Sequence, residues 1–386
     1  MPKFAHLDAL LHRFVENGLP GCGVAVAQRG ETIYEGYHGY ADIDKQIPIS
    51  ADSIFRLYSM TKVIVCTAAL MLMERGHFLL NDPLSEYLPQ FQNPKIILAS
   101  PYGYSEIPRT KPMLVRHAFT MSVGLPYLYT DHPTSLKVRE IQEELRRKHG
   151  NYSLMEFVEA LGEVPLACEP GERFMYGFGH DIVAALIEAV SDMTIGEFLK
   201  KEIFAPLGMK NTAYRHFANT AERMVSLYKM EQGDELQKIS IESDALHQPD
   251  ARYEGGGSGL FSTVADYLAF SQLLANGGSY NGERLLGRKT IDLMRTNQLS
   301  GEVLTKFQNF YNAGYGYGLG VRTMLDPAAA GANSSVGAFG WSGLLGTWVE
   351  VDPSEGLSMV YMHQTLPNHE EFHHLRVRSA IYRELN

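Results

Sequence analysis

Ser59 and Lys62 stand three residues apart at the start of a strong helical pattern rich in Leu, Met and Ala, running from Ser59 to the stop signal Gly76. Residues at that spacing share one face of a helix, so the serine hydroxyl and the lysine amine can meet. A serine hydroxyl is a weak nucleophile at neutral pH and needs a base beside it, and an amine serves as one only when neutral. Burial and the positive end of a helix both disfavour the ammonium form, so this position suits that task. The Ser59 peptide N–H, unsatisfied in the first helical turn, can also face an oxyanion. Spacing alone is weak evidence. A second Ser-x-x-Lys occurs at Ser226-Leu227-Tyr228-Lys229 away from any long buried helix, and an N-capping serine with an exposed lysine gives the same pattern.

Other local patterns carry less. His369-Glu370-Glu371-Phe372-His373 matches His-Glu-x-x-His, whose two histidines could share a zinc ion. Downstream only His374 and Glu384 offer ligating side chains, and Arg376 stands where the extended metzincin pattern requires glycine. Pro367-Asn368 is a helix-start signal, so the segment reads as a polar C-terminal surface helix and no metal is expected. Gly255-Gly256-Gly257-Ser258-Gly259 lacks the Lys-Ser/Thr ending of a phosphate loop and reads as tight backbone packing. No Gly-x-Ser-x-Gly elbow occurs.

The elements that must position Ser59 and Lys62 are read from periodicity. An amphipathic helix within residues 1–18 precedes two strands, Cys22 to Gln28 and Thr32 to Tyr37, joined at Arg29-Gly30-Glu31. Residues 93–112, rich in Pro, Tyr, Ser and Gly, read as a connector. Helices follow at Leu136 to Lys148, Ser153 to Leu161, His180 to Val190, Ile195 to Ile203 and Val264 to Asn276, with 231–250 polar and irregular. Tyr317 to Thr323, Val336 to Trp341, Gly346 to Val351 and Leu357 to His363 read as strands, and a final helix begins near His369. Both chain ends then build one mixed sheet, with the helical middle inserted.

At 386 residues, 45% hydrophobic and 20% charged, the chain is a globular mixture with a real core, sized for two domains or one composite domain. Its 34 basic against 44 acidic residues, a formal charge of -10, argue against binding phosphate backbones, so no nucleic-acid partner is expected. Cys22, Cys66 and Cys168 are too few and scattered for a disulfide framework and read as buried thiols. The N-terminal pattern is not a signal peptide, and the longest apolar run, Val63 to Met73, is shorter than the ~18 residues a bilayer requires. A cytoplasmic protein without a membrane anchor is expected, its oligomeric state left open.

Five ordered segments resemble the serine β-lactamase and penicillin-binding protein superfamily: Ser59-Met60-Thr61-Lys62, Arg116 to Tyr127, Pro170 to Tyr176, Gly255 to Phe261, and Trp341-Ser342-Gly343. The resemblance spans roughly residues 10 to 385. It implies an α/β fold of the α+β type, serine β-lactamase/DD-peptidase-like: a mixed, mainly antiparallel sheet flanked by helices from residues 1–95 and 250–386, with a mainly helical domain at 96–249. It further implies Ser59 as the acylated nucleophile, Lys62 as its proton acceptor, Tyr176 as the phenolic acid/base, and the Ser59 and Leu344 N–H groups as the oxyanion hole, with no cofactor. Two positions depart from the family. Phe178 replaces the usual Asn of the tyrosine element, and Trp341 replaces the Lys or His of the edge strand, which removes an amide and a cation that would meet a substrate amide and carboxylate. The Trp-x-Gly form resembles family VIII carboxylesterases and related acyltransferases, with Trp341, Tyr127, Tyr129 and Phe178 available to line an acyl or alcohol pocket. The expectation is a serine carboxylesterase acting on a small-molecule ester. Alternatives are a β-lactamase, a D-amino-acid peptidase or amidase, an acyltransferase, or a non-catalytic binding protein of the same fold.

Overall fold

The run Gly-Cys-Gly-Val-Ala-Val-Ala is buried throughout because both of its faces are covered, and it becomes a central strand. The structure, a computed structural model, describes residues 3–101, 103–128, 131–230 and 236–385. In chain order, the elements that frame the site are α1 (Ala5–Glu16), β1 (Gly21–Gln28), β2 (Glu31–Asp42), β3 (Ile47–Pro48), α2 (Thr61–Glu74), α3 (Gly179–Ser191) and α4 (Val264–Ala275). They are followed by β4 (Tyr315–Tyr317), β5 (Arg322–Met324), β6 (Phe339–Ser342), β7 (Trp348–Asp352), β8 (Leu357–Met362) and α5 (Glu370–Tyr382). The sheet order is β4-β5-β6-β7-β8-β1-β2-β3, antiparallel throughout. Gly23 of β1 pairs with Met362 of β8, so strands from distant parts of the chain meet in the sheet.

Alternation along β1 sorts the layers. Cys22, Val24 and Val26 share a core with Leu7, Leu11 and Phe14 of α1 and Val377 and Ile381 of α5. Ala25 and Ala27 face the larger core formed with α2, α3 and α4. The apolar residues of α2 wrap its whole circumference, and every residue from Thr61 to Leu72 is buried. All three cysteines are buried and free. Among the described residues, no helix is long and apolar enough to cross a membrane.

Several sequence expectations need correction. The supposed connector contains a hairpin, Lys95–Ser100 against Gly103–Pro108, and the irregular 231–250 stretch contains the strand Leu236–Ile239 paired with Leu227–Met230. Residues 231–235 of that stretch lie outside the described residues. The expected strand Tyr317 to Thr323 is two strands, β4 and β5, divided at Gly320, where φ is 89° and an added Cβ would lie 2.4 Å from Cys66 Sγ. The C-terminal helix lies at the surface as expected, with Glu371, Phe372, Leu375, Arg376 and Ser379 exposed, but its polar residues do not all face solvent: His373, His374 and Arg378 are buried with Val377 and Ile381 against the sheet. Its guanidinium at Arg378 pairs with Glu350 of β7 at 2.7 Å, both side chains almost fully enclosed.

Arg378→Met strands the Glu350 carboxylate without its cation. The expected cost is about 3 kcal/mol or more, measured as a lower denaturant midpoint. Replacing both residues with apolar ones restores most of that loss.

Candidate active site

Ser59 is delivered by a short strand and one tight turn. Phe55–Arg56 pairs with Phe261–Ser262, the Leu57 N–H donates to Leu260 O at 2.9 Å, and a 3-10 turn Tyr58–Met60 runs into α2. Tyr58, immediately before the serine, has φ of 46°, a left-handed conformation that bulky residues rarely adopt. Its hydroxyl is tied to Ser243 Oγ at 2.8 Å.

Lys62 is fully buried. Its Nζ donates to Ser59 Oγ at 3.1 Å, Tyr127 OH at 3.1 Å and Gly257 O at 2.5 Å. Tyr176 OH donates to the same Ser59 Oγ at 2.7 Å and accepts from Trp341 Nε1 at 3.1 Å. Lys62 Nζ also lies 4.7 Å from the centre of the Tyr176 ring. Ser59 Oγ therefore sits between an amine and a phenol, the connectivity needed to move its proton in either direction.

Backbone pairing holds the two tyrosines together. The Tyr127 N–H donates to Tyr176 O at 3.1 Å and the Phe178 N–H to Leu125 O at 3.0 Å. Gly177 permits this approach, since a Cβ there would fall 2.0 Å from Leu125 O. The resulting edge-to-face contact has ring centroids 5.4 Å apart. Phe178 is one layer back: it is 5% exposed and packs edge-on against Tyr127 and Phe157, at 4.9 and 5.3 Å. Tyr129 lies outside the described residues.

Two contributors, Asp181 and Tyr253, are not apparent from the sequence. Asp181, in the first turn of α3, is 3% exposed and accepts from Tyr253 OH at 2.8 Å and from the Gly257 N–H at 3.4 Å. Burial raises its carboxyl pKa, while the Tyr253 hydrogen bond and then the Lys62 charge pull it back. Asp181 and Tyr253 thus fix the Gly257 peptide whose carbonyl holds Lys62. The usable signal was the position of Asp181 one helical turn beyond the tyrosine element and of Tyr253 just before the glycine run. The adjacent His180 is fully buried and bonded through Nε2 to Phe119 O at 3.0 Å, and its pKa is driven down to about 3 by burial and then by the Lys62 charge.

The turn from β6 to β7 brings Leu344 to this site. A Cβ on Gly343 would lie 2.3 Å from Leu57 O and 2.2 Å from Thr347 Oγ1, so only glycine lets this turn approach the segment that carries Ser59. Neither the Ser59 N–H nor the Leu344 N–H has a hydrogen-bond partner among the described residues. Trp341, half-buried on β6, packs against Tyr176 and Tyr317 at 5.6 and 5.3 Å. The structure thus gathers Ser59, Lys62, Tyr176, Tyr127 and Trp341 and lays the Leu344 turn beside them. The second Ser-x-x-Lys lies on the strand Leu227–Met230, not on a helix. His369 and His373 are joined by no metal-holding group: among the described residues no cluster of three or more His, Cys, Asp or Glu is arranged to hold one.

An antiparallel sheet between helical layers, with Lys in the first turn of a buried helix, Ser in the 3-10 turn that leads into it and Tyr opposite, defines the serine β-lactamase and penicillin-binding protein class of fold. The Beta-lactamase family profile matches residues 7–383, and the chain belongs to that family. It is 28% identical over 359 residues to protein Rv1367c of Mycobacterium tuberculosis, covering 91% of this chain and 87% of that one. It is 27% identical over 380 residues to esterase EstB of Burkholderia gladioli, covering 94% and 90%. The solved structure of EstCE1, described as a hydrolase with promiscuous acyltransferase activity, shares the fold with a TM-score of 0.83 at 23% identity, over 98% of both chains.

A Cβ at Gly257 would lie 2.3 Å from Tyr127 OH and 2.8 Å from Asp181 Oδ2. Gly257→Ala is therefore expected to displace the carbonyl that holds Lys62 and to slow fluorophosphonate labelling of Ser59 by about a hundredfold, measured by intact-protein mass against time.

Proposed function

We propose that the chain is a serine carboxylesterase that takes small, uncharged carboxylic esters and passes their acyl group through Ser59 to water. The observation that carries this reading is the placement of Ser59 Oγ between Lys62 Nζ at 3.1 Å and Tyr176 OH at 2.7 Å, with the Trp341 indole N–H committed to the same phenol oxygen. Trp341 supplies an apolar ring and one neutral donor where a cation would pair with a carboxylate, so a charged substrate would be desolvated without compensation. The 27% identity to an esterase over nearly the whole chain supports the same substrate class.

In this mechanism the Ser59–Lys62 contact runs from Oγ–H to the free amine, whose two hydrogens go to Tyr127 OH and Gly257 O, and Lys62 accepts the Ser59 proton as Oγ attacks the ester carbonyl carbon. The tetrahedral oxyanion is met by the Ser59 and Leu344 N–H groups, which have no other hydrogen-bond partner among the described residues. The carbon–oxygen bond to the alcohol then breaks, and Tyr176 delivers a proton to the departing oxygen, leaving a phenolate that takes a proton from the water that attacks next while the Lys62 ammonium returns its own to Ser59 Oγ. Water attacks the acyl-enzyme by the reverse arrangement and releases the acid and free Ser59. An alcohol in place of water would give acyl transfer by the same steps. The Trp341 N–H aligns the phenol oxygen, and Tyr127 holds the amine against the serine.

Intact-protein mass and nitrophenol release with p-nitrophenyl butyrate and, separately, a penicillin test this reading. Wild type is expected to release nitrophenol, to carry a transient butyryl adduct and to respond little to penicillin, while Ser59→Ala neither releases nitrophenol nor carries an adduct. Stable penicilloyl adducts would reassign the chain to the penicillin-binding activities, and silence toward both reagents would make it a non-catalytic member of the fold. Tyr176→Phe is expected to lower kcat by about 10²-fold or more with an unchanged thermal midpoint.

A further inference from the structure

The turn that carries Leu344 is held from beneath by the C-terminal segment. Its successive carbonyls are all engaged: Gly343 O accepts from the Gly346 N–H at 3.0 Å, and Leu345 O accepts from the Thr365 N–H at 3.1 Å. Leu344 O accepts from Asn368 Nδ2 at 3.0 Å, and Gly346 O from His374 Nε2 at 3.4 Å. The turn also rests on an imidazole, since a Cβ on Gly346, where φ is 101°, would fall 2.0 Å from His363 Cε1. That ring is fixed by Thr365 Oγ1 at 2.9 Å from its Nδ1. The Leu344 N–H is left without a partner among the described residues while every carbonyl around it is anchored. The His369–His373 pattern that suggests zinc in the sequence belongs to this support, with His373 Nδ1 lying 3.4 Å from His363 Nε2.

We propose that Asn368 is a positioning residue of the oxyanion hole: its side-chain amide anchors the Leu344–Leu345 peptide and, together with the Gly346 N–H bond to Gly343 O that sets the plane of the Leu344 N–H itself, keeps the turn from rotating that N–H away from the developing oxyanion. This rests on the reading of Ser59 and Leu344 given under the proposed function. Asn368 is singled out because its side chain holds the carbonyl of Leu344 itself, and because it works in two directions. Its Nδ2 holds Leu344 O, while its Oδ1 accepts the Glu370 N–H at 3.2 Å in the first turn of α5. The amide thereby links the helix start to the turn. An oxyanion donor is useful only when its orientation is set before the charge appears, because reorganisation during the reaction would consume the gain.

Asn368→Asp separates the two contacts. The aspartate keeps an acceptor for the Glu370 N–H and suits a helix N-terminus, but it has no donor for Leu344 O. With p-nitrophenyl butyrate, kcat is expected to fall about tenfold while KM stays within about twofold. Affinity for butylboronic acid, which forms a tetrahedral adduct on Ser59, is expected to fall in parallel, and the thermal midpoint to stay unchanged. Asn368→Ala, which loses both contacts, should show the same kinetic loss together with a lowered midpoint. Unchanged kcat and boronate affinity in Asn368→Asp, or a raised KM at constant kcat, would overturn the role of Asn368 while wild-type turnover still depends on Ser59. Wild-type turnover that persists in Ser59→Ala would instead sink the reading of Ser59, and this inference with it.

Discussion

A lysine amine with no access to water is the constraint from which the site follows. Removing an amine from water costs several kcal/mol unless its hydrogens find acceptors, and here three separate stretches of chain supply them: Ser59 on the same helical face, Tyr127 from the loop after Gly124, and Gly257 from the glycine run. Each acceptor needs its own anchor. The 125–127 and 176–178 segments pair to fix Tyr127, and in doing so they bring in Tyr176. Asp181 and Tyr253 fix Gly257. The chemistry at Ser59 Oγ is thus a by-product of satisfying one buried cation-forming group, and the surrounding glycines are where backbone had to come closest.

The two departures from the family pattern have different structural weight. Phe178 sits behind Tyr127 and buttresses its ring, so its influence on the crevice passes through Tyr127. Trp341 touches the reacting groups directly through its indole N–H on Tyr176. A neutral donor at that point orients the phenol without adding charge.

Helical periodicity and the Ser-x-x-Lys spacing made α2 and its two polar residues legible, because a helix apolar on every side is stable in water only when buried. The sheet was legible in β1, β2, β7 and β8, whose runs carry β-branched and aromatic residues between clear turn signals. What escaped the sequence was non-local or polar. Tyr127 was legible only as a pocket-lining candidate, and its contact with Lys62 depends on a backbone pairing that no local pattern announces. The 95–108 hairpin read as a connector because its strands are largely exposed and pair with each other. The buried face of the final helix escaped because its residues include His373, His374 and Arg378, whose burial is tolerable only through partners such as Glu350 that lie far away in sequence. Polar residues with distant partners look like solvent-facing residues until the partners are seen.

The pairing of β1 with β8 has a consequence for the order of assembly. Ser59 and Lys62 leave the ribosome long before the strand that joins the two parts of the sheet. Until α3 and β6 arrive α2, apolar on every side, lacks its covering layer. Closing so distant a pairing is slow and carries a large loop-entropy cost, and an uncovered apolar helix is a site of aggregation in the interval. The crevice at Ser59 is therefore complete only after β6 and the C-terminal strands have been made, long after Ser59 and Lys62 themselves.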